Sequence, residues 1–154
     1  MPARNEFSDL LSAHGQRGIV SVCSAHPWAI RAAADQVVAD GGLLLIEATC
    51  NQVNQDGGYT GMRPDGFRDF VGKLVAEAGL PPGKLMLGGD HLGPHVWRNL
   101  RAEDAMAQAE KMVAQYVRAG FVKIHLDTSM PCAGDPDILS DDIIAGRAAR
   151  LAQI

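Results

Sequence analysis

From Gly18 onward the chain repeats one pattern four times: an apolar run of about six residues, a longer stretch with apolar positions at helical spacing, a glycine, and the next apolar run. The runs are Ile19 to Ser24, Leu43 to Ala48, Lys84 to Gly89 and Phe121 to Asp127. The second is continuously apolar until Glu47, as a strand covered on both faces requires. Between the runs, Ile30, Ala33, Ala34, Val37 and Val38 form one helical stripe, Phe67, Phe70, Val71, Leu74, Val75 and Ala78 a second, and Ala102, Ala105, Met106, Ala109, Met112, Val113, Tyr116 and Val117 a third. Pro27 suits a first helical position, and Gly41, Gly79 and Gly120 suit helix ends. Ser140, followed by Asp141 and Asp142, marks the N-cap of a fourth helix. A short amphipathic segment from Glu6 to His14, with Phe7, Leu10 and Leu11 on one side, precedes the first strand and is expected to cover an open end of the core.

Strands joined by helical crossovers are parallel, so the class is α/β. Two architectures compete, a (β/α)8 barrel and an open doubly wound sheet. The turn after the first strand reads Ser24-Ala25-His26-Pro27, without the glycine-rich signature of an open nucleotide-binding sheet. In the fourth run Lys123, His125 and Asp127 share one face while Val122, Ile124 and Leu126 share the other. A barrel accommodates that division, with apolar residues toward the helices and polar ones inward near the active end. Such a barrel takes about 250 residues. The 154 residues therefore read as a single domain, 1–154, that supplies the first four β/α units, either as a piece of a longer chain or as one of two copies closing a barrel. The former is favoured, because the chain stops within the fourth helix.

Composition narrows the function. A net charge of −4 without a basic cluster argues against nucleic acid, and no apolar run suits a signal peptide or a membrane span, so a cytoplasmic protein is expected. The three cysteines are widely spaced and form no Cys-x-x-Cys pair, and Cys23 reads as a small buried hydrophobe.

Polar groups fall where barrel chemistry resides, at the C-terminal strand ends. They are His26 after the first strand, Glu47 with Asn51, Gln52 and Asn54 around the second, Asp90 and His91 after the third, and Lys123, His125 and Asp127 in the fourth. His91 and His125, supported by Glu47 or Asp127, are candidate ligands for a divalent metal such as Zn²⁺, with Asp90 placed to move a proton. The competing reading is that these groups only hydrogen-bond loops. The glycine-rich stretch Gln55 to Gly66 is either a ligand-closing loop or a surface turn.

Five runs carry a family resemblance: Ser21-Val22-Cys23-Ser24-Ala25-His26-Pro27, Leu45 to Gln55, Gly57-Gly58-Tyr59-Thr60-Gly61-Met62, Gly88-Gly89-Asp90-His91-Leu92-Gly93-Pro94 and Lys123 to Met130. They resemble the GatZ/KbaZ family, the non-catalytic subunit of class II D-tagatose-1,6-bisphosphate aldolase. That resemblance implies a (β/α) barrel, a role in galactitol, tagatose or N-acetylgalactosamine breakdown, and the catalytic aldolase subunit as partner. From their places at the strand ends, Asp90, Glu47 and Asp127 are candidate catalytic groups, His26, Asn51, Gln52, Asn54 and Lys123 candidate substrate contacts, and His91 and His125 candidate metal ligands. Asp90-His91 is similar to the proton-transfer and metal-ligand pair of catalytic class II aldolases, which makes a metal-dependent aldolase or sugar-phosphate epimerase the alternative function. Some members are labelled tagatose-6-phosphate kinases, but neither a Gly-x-x-x-x-Gly-Lys-Ser/Thr loop nor a kinase glycine loop is present.

Overall fold

A computed structural model describes residues 18–154; the segment Glu6 to His14 lies outside them. The elements alternate as the pattern predicts: β1 (Ser21–Cys23), α1 (Pro27–Asp40), β2 (Leu44–Thr49), α2 (Pro64–Glu77), β3 (Leu85–Leu92), α3 (Ala102–Arg118), β4 (Lys123–Leu126) and α4 (Asp141–Leu151). Single 3-10 turns occupy Gly58–Thr60 and Pro94–Trp97. The four strands lie in chain order and every pairing is parallel. Among the described residues no helix is long and apolar enough to cross a membrane.

Local chemistry sets the helix ends. Gly41 closes α1 at φ 76°, a conformation that costs glycine little, and Ser140 Oγ accepts the Ile143 N–H at the start of α4. The helical stripes bury Ile30 and Ala34, then Phe67, Val71 and Val75, then Met106, Ala109, Met112, Val113 and Tyr116. They pack on the outer sheet positions Leu44, Ile46, Ala48 and Leu87, with Val22, Ile124 and Leu126 half-buried at the margin. Val38 and Val117, counted in the stripes on spacing alone, are exposed because they sit at the stripe edges.

The other sheet face is polar toward its C-terminal end. Register brings Cys23 beside Glu47, Glu47 beside Gly88, and Gly88 beside Lys123, so these residues form one row across the sheet. Thr49 and Asp90 form the next row.

Tyr116 links the two faces of the architecture. Its ring is buried edge-on to Phe121, and its hydroxyl donates to the Val53 carbonyl at 2.8 Å, tying α3 to the loop after β2. Burial raises the phenol's pKa, so it stays a neutral donor.

Candidate functional site

Strand β3 runs further than its apolar stretch suggests. Asp90 and His91 lie within it, and Leu92 still pairs with Leu126. From Gly89 to Leu92 is three steps, whereas the partner residues Ile124 to Leu126 are two steps apart, so β3 carries one extra residue. This β-bulge is built at His91, the only non-glycine residue at positive φ (50°) among those described. A regular strand would send Asp90 and His91 to opposite faces. The bulge instead lets both flank His125.

The outcome is a compact cluster. Asp90 Oδ1 lies 2.9 Å from His125 Nδ1, and Asp90 Oδ2 lies 3.0 Å from His91 Nδ1. The two imidazoles meet edge-on with centroids 4.4 Å apart. One ligand atom from each of Asp90, His91 and His125 falls within 4.8 Å of the others. Two imidazoles and a carboxylate form a donor set suited to a divalent ion such as Zn²⁺, and both rings face solvent, which leaves room for a substrate oxygen. Burial alone would raise the Asp90 carboxyl, but hydrogen bonds from His125, His91 and Cys23 outweigh it and pull the carboxyl down to about 2.

Beside this cluster lies a buried ion pair. Glu47 is 2% exposed, and Lys123 Nζ approaches its Oε1 at 2.5 Å while Ser21 Oγ donates to its Oε2. Gly88 makes the space: a Cβ there would stand 2.4 Å from Glu47 Oε1. Lys123 Nζ is also 4.0 Å from Asp90 Oδ1, so the pair adjoins the cluster.

The remaining candidates divide between the site and the scaffold. Asp127 Oδ1 accepts from both the backbone N–H and the hydroxyl of Ser129. Burial pushes its carboxyl up, but the Ser129 bonds, helped by His91 and His125, hold it below the usual aspartate range. Gln52 Oε1 accepts the Thr49 N–H at 2.8 Å and faces the Cys23 thiol at 3.8 Å, while its amide nitrogen has no protein partner among the described residues. Asn54 is buried and spends its amide on the loop, donating to the Cys50 carbonyl and accepting from Asp56 and Gly58 N–H groups. His26 is the N-cap of α1, its Nδ1 accepting the Trp28 N–H at 3.3 Å, and none of its described contacts reaches the cluster. The Asn51 side chain is exposed on the same loop. From Gln55 to Arg63 the stretch is a turn held by Asn54 and by Thr60, whose hydroxyl donates to the Gln52 carbonyl at 2.7 Å, and Pro64 to Gly66 already belong to α2.

Cys23 departs from the sequence reading. It is exposed on the polar face, because it alternates with Val22, which turns toward the helices. Desolvation, a hydrogen bond with Asp90, and the charges of Asp90 and Glu47 push its thiol up to about 11, so it stays protonated. Parity counted from Val22 was the available signal.

Comparison with known proteins bears on this arrangement. Residues 6–154 match the family model described as D-tagatose-1,6-bisphosphate aldolase subunit GatZ/KbaZ-like. The chain is 58% identical over 137 residues to the D-tagatose 6-phosphate 4-epimerase of Agrobacterium fabrum, an alignment covering 89% of the chain and 32% of that protein. A crystal structure described as a probable tagatose 6 phosphate kinase from Sinorhizobium meliloti 1021 superposes with a TM-score of 0.86 at 57% identity, over 89% of the chain and 35% of its own. The chain thus spans about a third of the length of the relatives it matches.

Proposed function

The chain belongs to the D-tagatose-1,6-bisphosphate aldolase subunit GatZ/KbaZ-like family, and from that premise we propose that it supplies the metal-binding half of a catalytic site for a phosphorylated ketohexose. The observation that carries the proposal is the β3 bulge, which gathers Asp90, His91 and His125 on one face. Four parallel strands in chain order, with helices on one face and polar groups on the other, support a (β/α)8 barrel of which these are the first four units. Among the described residues the outer sides of β1 and β4 have no strand partner, and further strands would join there.

His91, His125 and Asp90 would hold a divalent ion of the Zn²⁺ class. Such an ion supplies Lewis-acid polarisation of a sugar carbonyl or hydroxyl. The chain's own groups do the rest. Asp90 orients both imidazoles through their Nδ1 atoms. Asp127 presents Oδ2, the oxygen Ser129 does not use, as acceptor for a substrate hydroxyl proton. Gln52, with its unspent amide, and Asn51 stand at the loop edge where sugar hydroxyls would be read. The relative named D-tagatose 6-phosphate 4-epimerase favours epimerisation at C4 of a ketose 6-phosphate.

The test is direct. Purified full-length protein, with the remaining units of the barrel, should carry a stoichiometric divalent metal by mass spectrometry and convert D-tagatose 6-phosphate to its C4 epimer, followed by carbon NMR. His91→Ala should lose both. Absence of bound metal, with no difference between wild type and His91→Ala, would sink the proposal. A second reading, an accessory subunit that supports a catalytic class II aldolase, is favoured by the family description. It predicts no turnover alone and higher aldolase activity when co-expressed with the catalytic subunit.

A further inference from the structure

We propose that Lys123 is the anion-contacting group of this site and that Glu47 is its positioning residue; the inference rests on the sugar-phosphate reading above and deepens it. Of the residues forming the four strands, Lys123 is the only lysine or arginine. Its ammonium lies on the polar face, two residues before His125. Glu47 is too deep to meet a ligand, since it is 2% exposed and both its oxygens are engaged, one by Ser21 and one by Lys123. Lys123 is 36% exposed and stands in front of it. The ammonium has three N–H donors; it is ion-paired with Glu47 Oε1 at 2.5 Å without hydrogen-bond geometry, and Asp90 Oδ1, at 4.0 Å, is beyond hydrogen-bond reach. Donors therefore remain for an incoming oxygen beside the Asp90–His91–His125 cluster.

The pair is also built for one position. A lysine on four methylenes is mobile unless something fixes it. Here a buried carboxylate does so, and Gly88 keeps open the volume that carboxylate occupies. A buried charge without a partner is costly, so Glu47 holds Lys123 as firmly as Lys123 neutralises Glu47. Formal charges of Glu47, Asp90 and Asp127 against Lys123 leave the site at −2; a bound dication would bring it to neutrality, which removes the net repulsion of an anionic sugar oxygen.

Two measurements test the inference. Amine acylation footprinting by mass spectrometry, with Lys73 and Lys111 as internal references, reads how firmly Lys123 is held. Glu47→Gln should speed Lys123 acylation about 5-fold, the factor expected when an interaction of about 1 kcal/mol is lost. Glu47→Asp should fall between the two. Calorimetric titration with D-tagatose 6-phosphate in the presence of Zn²⁺ reads the contact itself. Lys123→Met should weaken binding about tenfold or more. Glu47→Gln should also weaken it, and the double variant should be no worse than Lys123→Met, since the two act as a unit. Retained Zn²⁺ binding and a cooperative melting transition, lowered or not, would show that the variants are folded. Unchanged acylation in Glu47→Gln overturns the positioning role. Wild-type affinity in Lys123→Met overturns the contact and leaves the metal site standing. If wild-type protein binds Zn²⁺ but not the sugar phosphate, the functional proposal and the contact fail together, while the acylation result still judges Glu47.

Discussion

Replacing His91 by glycine and, separately, by alanine probes the bulge on which the site is built. His91 sits at φ 50°, in the left-handed region that costs an L-residue about 1–2 kcal/mol. Glycine escapes that cost but loses about 0.5–1 kcal/mol relative to alanine in an ordinary strand, through the entropy it surrenders on folding. The difference leaves His91→Gly more stable than His91→Ala by roughly 0.5–1 kcal/mol, the reverse of the usual order. For a domain of this size that is a melting-temperature gap of about 1–4 °C. Urea denaturation with a chelator present, so that bound metal does not add to stability, would read the difference directly. The His91 side chain is largely exposed, so lost packing will not obscure the comparison. Both variants should lose metal affinity alike, each lacking the imidazole. If the alanine variant proves more stable than the glycine variant by the ordinary margin, His91 is not held left-handed, and the placement of Asp90 and His91 on one face has no physical basis.

Other perturbations address the surroundings. Tyr116→Phe removes the donor to the buried Val53 carbonyl and should cost about 1–3 kcal/mol in urea, with hydrogen exchange rising in residues 51 to 60. Gly93→Ala would place a Cβ 1.7 Å from the Asp127 carbonyl oxygen. Backbone must give way there, so a loss of about 1–3 kcal/mol is expected, together with reduced metal affinity as β3 and β4 part and carry His91 away from His125. Asp135 and Arg147 form a nearly buried pair at 2.8 Å, and the Arg147 hydrogen bond holds the Asp135 carboxyl below its usual range against the opposing effect of burial. A depressed folded value means that the stabilisation is complete above the unfolded aspartate value of about 3.9 and fades as pH falls through the lower folded one. Asp135→Asn should therefore destabilise at pH 7, and its gap from wild type should close in acid; a gap independent of pH would refute the pairing.

Much of the architecture is legible because it follows from two periods. Ile30 and Ala34, Phe67 and Val71, and Met112 and Tyr116 recur at helical spacing and are buried as that spacing demands. Lys123 and His125 alternate with Ile124 and Leu126, which is enough to assign the faces of β4. Depth along a face is a different matter. Position in the sequence places Glu47 and Asn54 among the polar groups of a strand end, yet Glu47 is sealed by Lys123 and Ser21, and Asn54 by the turn it organises. Both depend on partners more than four residues away or on a loop conformation that no periodicity encodes. Cys23 illustrates the converse: in an apolar stretch a thiol reads as core, but β1 is an edge strand of only three residues, and alternation from Val22 places the sulfur on the polar side.

The bulge explains why the site residues are recognisable in sequence while their geometry is not. Gathering adjacent Asp90 and His91 around His125 puts three donors on one face, and a period of two forbids neighbours from sharing a face. One extra residue removes that conflict without ending the strand, since Leu92 resumes pairing with Leu126 and its carbonyl accepts the Asp127 N–H at 2.9 Å. The resumed pairing anchors both ends of the irregularity, so the left-handed His91 is held from either side. Gly88 and Gly89 before it leave room for the Glu47 carboxylate and for the Leu92 and Tyr116 side chains. The run Gly88-Gly89-Asp90-His91-Leu92-Gly93 thus serves one end: two glycines admit neighbours, two polar residues flank His125, a leucine restores register, and a third glycine lets the Asp127 carbonyl close against it.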